Sequence, residues 1–236
     1  MALYREVGIV LRTMRLGEAD KIVTMVTQGR GKVRAVAKGV RKTKSRFGGR
    51  LEPLQHVSLQ LYEGRSLDTI TQVETIDHFR GIREDLDRLT QATTMLEVVD
   101  AVVQEGEQNP KLHQMLLGAL RTLEAAPSPL VVPAFFWKLL AHEGYRPMLD
   151  ACASCGSEAE LVAFDLTEGG VLCRACARGT RLTPEALSLL RRILGGDLVT
   201  VLAEPPTQAG YEVEHLATRA LEHHLERKMR SVGILD

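Results

Sequence analysis

The chain has 236 residues, with 30 Lys and Arg balanced by 30 Asp and Glu, so that its net charge is zero. Hydrophobic residues make up 44% of it, which is enough for one large domain or two smaller ones. No apolar run approaches the roughly 20 residues of a membrane-spanning helix, and Arg5 and Glu6 stand where a secretory signal would be apolar. We therefore expect a cytoplasmic protein.

The zero net charge hides two parts of opposite sign. Residues 1–80 contain 15 basic and 8 acidic residues, a net charge of +7, and the rest of the chain carries −7. No acidic residue occurs between Lys21 and Leu51, where the ten basic residues are Lys21, Arg30, Lys32, Arg34, Lys38, Arg41, Lys42, Lys44, Arg46 and Arg50. A solvated surface ordinarily mixes signs. This cluster therefore indicates a surface that neutralises a phosphate backbone.

Five short strands are predicted in the first 80 residues, at 3–14, 21–28, 31–38, 54–63 and 66–77. Each is rich in Val, Ile, Leu and Thr and is bounded by turn residues. In the third strand, Lys32, Arg34 and Lys38 lie on one face, and the apolar side chains at 33, 35 and 37 lie on the other. Five strands with a basic face predict an OB-fold barrel. An SH3-like barrel is nearly as compatible with the pattern.

The segment between the third and fourth strands is basic and rich in small residues, so we expect a loop that becomes ordered on a ligand. Together with the third strand it supplies the predicted nucleic-acid-binding residues, Lys32, Arg34, Lys38, Arg41, Lys42, Lys44, Arg46 and Arg50. Phe47 in this loop either stacks on a base or packs beneath the loop. Aromatic residues are only 4% of the chain, too few for a multi-base stacking platform. We therefore expect sequence-tolerant binding through the nucleic-acid backbone.

After residue 80 the apolar period changes from two to about 3.6, which predicts helices. Three are expected before residue 150, including one that starts at Asn109-Pro110 and one near Pro133. Trp137 lies off the apolar face of the last of these, at the edge of the core or in contact with a partner. Two further helices are expected, one between Thr183-Pro184 and Gly195-Gly196 and one from about Tyr211 to Met229.

The four cysteines form two Cys-x-x-Cys pairs separated by 17 residues; they are Cys152, Cys155, Cys173 and Cys176. Two such turns joined by a short hairpin supply the four ligands of a tetrahedral zinc site. The alternatives are two disulfides or a redox dithiol. Disulfides belong to oxidising compartments, and the sequence shows no secretory signal. A redox dithiol is expected as one Cys-x-x-Cys pair on a βαβ unit, not as two pairs in a short insert. Four thiolates leave no open coordination position, so one structural Zn²⁺ is predicted.

These elements predict a multidomain α+β protein. An OB-fold nucleic-acid-binding domain is expected at 1–80, and one helical domain at 81–149 and 179–236 into which the Cys₄ zinc ribbon at 150–178 is inserted. Three histidines in the last predicted helix, at 215, 223 and 224, receive no role because four cysteines already complete the metal site.

Three segments, GEADKIVT at 17–24, AKGVRK at 37–42 and SRFGGRLEP at 45–53, resemble the bacterial RecO family of DNA repair proteins. The helical region and both Cys-x-x-Cys pairs follow in the family's order, so the resemblance covers essentially the whole chain. It implies a non-enzymatic recombination mediator associated with the nucleoid. Such a protein binds single- and double-stranded DNA, anneals complementary strands and helps RecA to load. The partners that the resemblance implies are RecR and the single-stranded-DNA-binding protein.

Annealing requires no catalytic residue, because a cationic surface that screens phosphate repulsion allows two strands to pair. That agrees with a basic module without an evident nucleophile or acid–base pair. Two alternatives stay open at this point, a zinc-containing enzyme that modifies nucleic acid and an RNA-associated binding protein.

Overall fold

The structure is a computed structural model, described for residues 2–225. The chain divides into two compact units, one that ends at Ala125 and one that begins at Ala126. Among the described residues, the first unit contains five strands and three helices, and the second contains three strands and four helices. The predicted division into an OB-fold domain, one helical domain and an inserted zinc ribbon stays a prediction.

A closed barrel in the first unit is formed by five strands: β1 (Leu3–Leu16), β2 (Asp20–Thr27), β3 (Gly31–Ala37), β4 (His56–Tyr62) and β5 (Asp68–Asp77). Their order around the barrel is β1-β2-β3-β5-β4. β1 pairs antiparallel with both β2 and β4, and a break in its register between Val10 and Arg12 marks where the long strand bends. β3 and β5 close the barrel as a short parallel pair. This is the strand order of an OB fold, as predicted.

The barrel core follows from the alternation of side chains along the strands. In β3, Val33, Ala35 and Ala37 are buried, whereas Lys32 and Arg34 are only partly buried, which confirms the predicted two-faced strand. The same core contains Val10, Met25, Leu59 and Ile70 from the other strands. Burial of each large aliphatic side chain contributes about 1.5–3 kcal/mol, so this core stabilises the barrel.

Three helices follow the barrel: α1 (Arg80–Arg83), α2 (Leu86–Val102) and α3 (Pro110–Ala125). The Asp85 carboxylate accepts a hydrogen bond from the Arg88 amide at 3.0 Å and caps α2. Asn109 does the same for α3, accepting from the Leu112 amide at 3.0 Å, one residue before Pro110. The predicted start of that helix is therefore confirmed. Both α2 and α3 pack against β1 and β2.

The second unit joins a helical group to a small sheet. Its helices are α4 (Val131–His142), α5 (Pro184–Gly195), α6 (Leu198–Ala203) and α7 (Gln208–Leu225). Its sheet has the order β7-β6-β8, formed by β6 (Leu161–Asp165), β7 (Gly170–Cys173) and β8 (Thr180–Arg181). None of the described helices combines the length and apolarity that crossing a bilayer requires.

The helix ends in the second unit agree largely with the predicted ones. The Thr183 hydroxyl accepts from the Ala186 amide at 3.2 Å, and Gly196 ends α5 with φ = 102°. α7 begins three residues before the predicted Tyr211, and the predicted end at Met229 lies outside the described residues.

Trp137 lies inside the core of the second unit. It is 1% exposed, and its indole nitrogen donates to the Val213 carbonyl at 3.4 Å. Its ring meets that of Phe164 on β6 edge-on, with the centroids 5.8 Å apart. The predicted position at the edge of the core is therefore wrong, because α7 and the small sheet cover the remaining face of α4.

Candidate metal centre and cationic surface

The small sheet positions the four cysteines. β7 ends at Cys173, and the chain then turns back so that the Cys176 amide donates to the Cys173 carbonyl at 3.1 Å. In the first pair, the Gly156 amide donates to the Cys152 carbonyl at 2.8 Å, and Gly156 has φ = 77°, which a side chain rarely adopts. The Ala153 amide bonds to the Val171 carbonyl at 2.8 Å and ties the first turn to β7.

All four sulfur atoms lie within 4.8 Å of one another. The Sγ atoms of Cys155 and Cys173 are 3.7 Å apart. A Zn–S bond of about 2.3 Å in a tetrahedron places two sulfurs about 3.8 Å apart, whereas a disulfide requires about 2.05 Å. The residues therefore fit a Cys₄ metal site, and they do not form disulfides in this structure.

The electrostatics of the cluster favour a cation at its centre. A backbone hydrogen bond from Cys173 lowers the pKa of the Cys152 thiol to about 6. Hydrogen bonding with Cys155, then with Cys173, raises the pKa of the Cys176 thiol to about 12. One thiolate is thus stabilised by the protein alone, and a second is disfavoured by its neighbours. A bound divalent cation removes that conflict because it stabilises all four thiolates at once.

Two arginines beside the second pair of cysteines are held by carboxylates. Arg174 lies 3.3 Å from Glu160, and Arg178 lies 3.6 Å from Asp165 and also contacts Glu168. These pairs connect the second cysteine turn to the loops on either side of β6.

On the barrel, the segment at residues 38–50, here the basic loop, is anchored to the core. Val40 and Phe47 are buried, Phe47 to 1% exposure, and Leu51 just after the loop is equally buried. The Gly39 amide donates to the Asp20 carboxylate at 2.7 Å, and the Arg41 amide donates to the Ala19 carbonyl at 3.0 Å. Of the two readings of Phe47, the structure therefore shows the one in which it packs beneath the loop.

The cations of the basic loop point outward and lack acidic partners. All six are exposed, and none forms an ion pair with a carboxylate among the described residues; they are Lys38, Arg41, Lys42, Lys44, Arg46 and Arg50. Arg41 donates instead to the Glu18 carbonyl at 2.8 Å, and Arg50 donates to the Arg46 carbonyl at 3.1 Å. The loop therefore presents a concentrated positive charge to solvent.

The two predicted DNA-binding residues on β3 lie in a different environment. Lys32 lies 2.9 Å from the Asp100 carboxylate with its side chain 13% exposed, and Arg34 lies 3.2 Å from Glu105. Their role in binding DNA stays a prediction, but in this structure each is paired with an acidic residue that follows the barrel in sequence. Asp100 and Glu105 were missed by sequence reasoning, since no local pattern connects them to β3.

These elements define a five-stranded OB barrel followed in sequence by a Cys₄ ribbon. Comparison with known sequences places this architecture in a family. The family model described as recombination protein O N terminal matches residues 1–79, and recombination protein O C terminal matches residues 83–232. The chain is 45% identical to the DNA repair protein RecO of a Nocardioides species, over 99% of each chain. It is 43% identical to that of Thermobifida fusca over 100% of this chain and 99% of the relative, and 44% identical to that of Streptomyces coelicolor over the full length of both.

The chain therefore belongs to the recombination protein O family of DNA repair proteins. The resemblance noted in its sequence is confirmed over the whole length, and so are the OB-like barrel and the clustered cysteines.

Proposed function

We propose that this chain is a non-enzymatic recombination mediator whose barrel binds single- and double-stranded DNA and anneals complementary strands. The observation that carries the proposal is the basic loop, with six exposed cations and no carboxylate partner among the described residues. Such cations attract phosphates because their binding releases condensed counterions. The names of the relatives, DNA repair protein RecO, support DNA as the polyanion.

The way in which the loop is built supports annealing. The anchors Val40 and Phe47 hold the loop on the barrel, so its cations form a fixed positive surface. Two complementary strands that approach such a surface repel each other less, and base pairing then supplies the driving force. No base contact is needed, so binding tolerates any sequence.

The metal centre is proposed to hold one Zn²⁺ with a structural role. Cys152, Cys155, Cys173 and Cys176 supply four ligands, which leaves no position for substrate or water. When bound, the ion supplies folding energy to a ribbon whose own core is small. In this proposal the protein works in the bacterial cytoplasm on nucleoid DNA, with RecR and the single-stranded-DNA-binding protein as direct partners and RecA as the indirect one.

Annealing of complementary oligonucleotides tests the function. A variant with Arg41, Lys42, Lys44 and Arg46 changed to alanine is expected to anneal strands much more slowly than the wild type. The matched control changes four exposed cations outside the basic run, Arg5, Arg80, Lys111 and Arg181, and removes the same charge. Equal rates for the two variants would show that the loop is not the annealing surface. Covalently altered DNA after incubation would favour an enzyme.

A further inference from the structure

A second basic site lies on the same barrel, in a cleft of about 210 Å³ beside β3. Its walls include residues 64–66 of the loop between β4 and β5, and residues 105–106 beyond α2. No residue of the basic loop lines it. Four cations and two carboxylates do; they are Arg30, Lys32, Arg34, Arg65, Asp68 and Glu105.

One side of the cleft is a fixed aromatic and cationic pair. The guanidinium of Arg30 lies over the ring of Tyr4, 3.7 Å from its centroid. The Tyr4 hydroxyl donates to Asp68, whose other oxygen accepts from the Gly64 amide at 3.0 Å. Burial, and then this bond to Asp68, raise the pKa of Tyr4, so its ring stays neutral. Both oxygens of Asp68 are thus already hydrogen-bonded.

The other two arginines of the cleft, Arg34 and Arg65, have N–H donors that are not all hydrogen-bonded within the described residues. The Nε atom of Arg34 is buried without a hydrogen-bond partner in the part of the chain that the structure describes. One terminal nitrogen of Arg34 lies 3.2 Å from Glu105. Arg65 is exposed and has no carboxylate partner among residues 2–225. Buried donors are almost always paired, so an open Nε beside a second arginine indicates an absent acceptor.

The carboxylate of Glu105 reaches this place because its segment lies along the edge of β3. Glu105 forms a parallel bridge with Lys32. Gly31 permits the approach, since a Cβ atom at that position would lie 1.7 Å from the Glu107 carbonyl oxygen. An acidic segment therefore rests on the strand that supplies the cleft with Lys32 and Arg34.

We propose that the cleft binds one phosphate group of the DNA backbone, and that the Glu105 carboxylate occupies the position of this phosphate in the free protein. The proposal rests on the proposed DNA-binding function and adds a site to it. The planar donor fork of arginine suits phosphate oxygens, and Arg34 with Arg65 offers two such groups. Arg34 lies about 10 Å along β3 from Ala37, the last residue before the basic loop, so a strand held by that loop reaches the cleft within a few nucleotides.

The salt dependence of affinity for a fluorescent single-stranded oligonucleotide tests this site. Each phosphate contact on a single strand contributes about 0.7 to the slope of log affinity against log salt. Arg65→Ala is expected to make the slope shallower by about 0.7. The ratio of wild-type affinity to variant affinity therefore falls about threefold when salt rises from about 50 to 200 mM. Glu105→Gln is expected to bind more tightly and to keep the slope of the wild type, because the phosphate still enters the cleft but no longer displaces a carboxylate.

The matched control is Glu107→Gln, which makes the same charge change two residues away and outside the cleft. It is expected to keep the slope of the wild type. If Arg65→Ala keeps the wild-type slope and Glu105→Gln binds no more tightly than Glu107→Gln, while the basic-loop variant lowers the slope, the cleft is not a phosphate site and the proposed function stands. If the wild type itself shows no salt-dependent binding, both proposals fall.

Discussion

The ammonium group of Lys32 on β3 lies 2.9 Å from a carboxylate oxygen of Asp100 on α2. It also donates to the Asp100 backbone carbonyl at 2.6 Å, and Arg12 on β1 contacts the other carboxylate oxygen at 2.6 Å. Burial alone would raise the pKa of Asp100, but the hydrogen bonds from Lys32 and then Arg12 lower it. Asp100 therefore connects two barrel strands to α2 as an ionised group.

Lys32→Ala is therefore expected to destabilise the protein. It leaves a partly buried carboxylate with one cation instead of two, at a cost of about 1–3 kcal/mol. Urea denaturation measures this loss. Lys42→Ala is the control, because Lys42 is exposed and has no carboxylate partner among the described residues. It should leave stability unchanged and weaken DNA binding instead; equal destabilisation by the two variants would contradict this account of Lys32.

Two buried histidines lie between the barrel and α3. The rings of His56 on β4 and His113 on α3 are 5.7 Å apart, and both residues are at most 3% exposed. None of their four ring nitrogens has a hydrogen-bond partner within the described chain. Burial lowers both pKa values, that of His113 to about 4. Arg121 lowers the pKa of His56 further, and Asp77 opposes this effect.

Stability is therefore expected to fall as the pH drops below about 6.5, because the unfolded chain then binds protons that the folded His113 excludes. The loss reaches about 3 kcal/mol near pH 4 for His113 alone. Denaturant unfolding of His113→Gln at several pH values should show a shallower decline than the wild type. The control is His78→Gln, since His78 is exposed. An unchanged decline in His113→Gln would show that this imidazole titrates freely in the folded protein.

Local patterns predicted much of this fold because the relevant interactions are local. The alternation in β3 predicted its buried face, and the Asn109-Pro110 and Thr183-Pro184 pairs marked helix starts that side-chain caps create. The cysteine spacing predicted the cluster for the same reason, since each pair closes within one turn.

Contacts across long sequence separations were not predictable from the sequence. Lys32 appeared equivalent to Lys42, and only the packing of α2 on the barrel places Asp100 against it, 68 residues away. Trp137 lay off the apolar face of its helix, and only α7 and β6 explain its burial. In each case the partner comes from another element, so no local period contains it.

Removal of the metal is expected to unfold the ribbon at 150–178, and the single tryptophan offers the measurement. Trp137 contacts Phe164 in β6, so its fluorescence should change when a chelator is added. Elemental analysis should give one zinc per chain, and Cys173→Ser should lower that content. Retention of stoichiometric metal in Cys173→Ser would contradict the four-thiolate site. Lys111→Ala, a change of an exposed residue in the first unit, is the control.

Phe47 is expected to act through packing and not through base stacking. Phe47→Leu keeps an apolar anchor of smaller volume, so DNA affinity should stay near that of the wild type. Phe47→Ala should cost about 3–5 kcal/mol of stability, because it opens a cavity in the barrel core. Thermal unfolding and fluorescence anisotropy measure the two effects separately. A large loss of affinity in a stably folded Phe47→Leu would indicate stacking.

The salt dependence of DNA affinity is the most direct measurement of the central claim, that unpaired cations on the basic loop bind phosphates. The wild type should lose affinity steeply as salt rises, with a slope of several units. Removal of Arg41, Lys42, Lys44 and Arg46 should make the slope shallower by about 0.7 for each lost contact on a single strand. An identical slope for the wild type and this variant would contradict the claim.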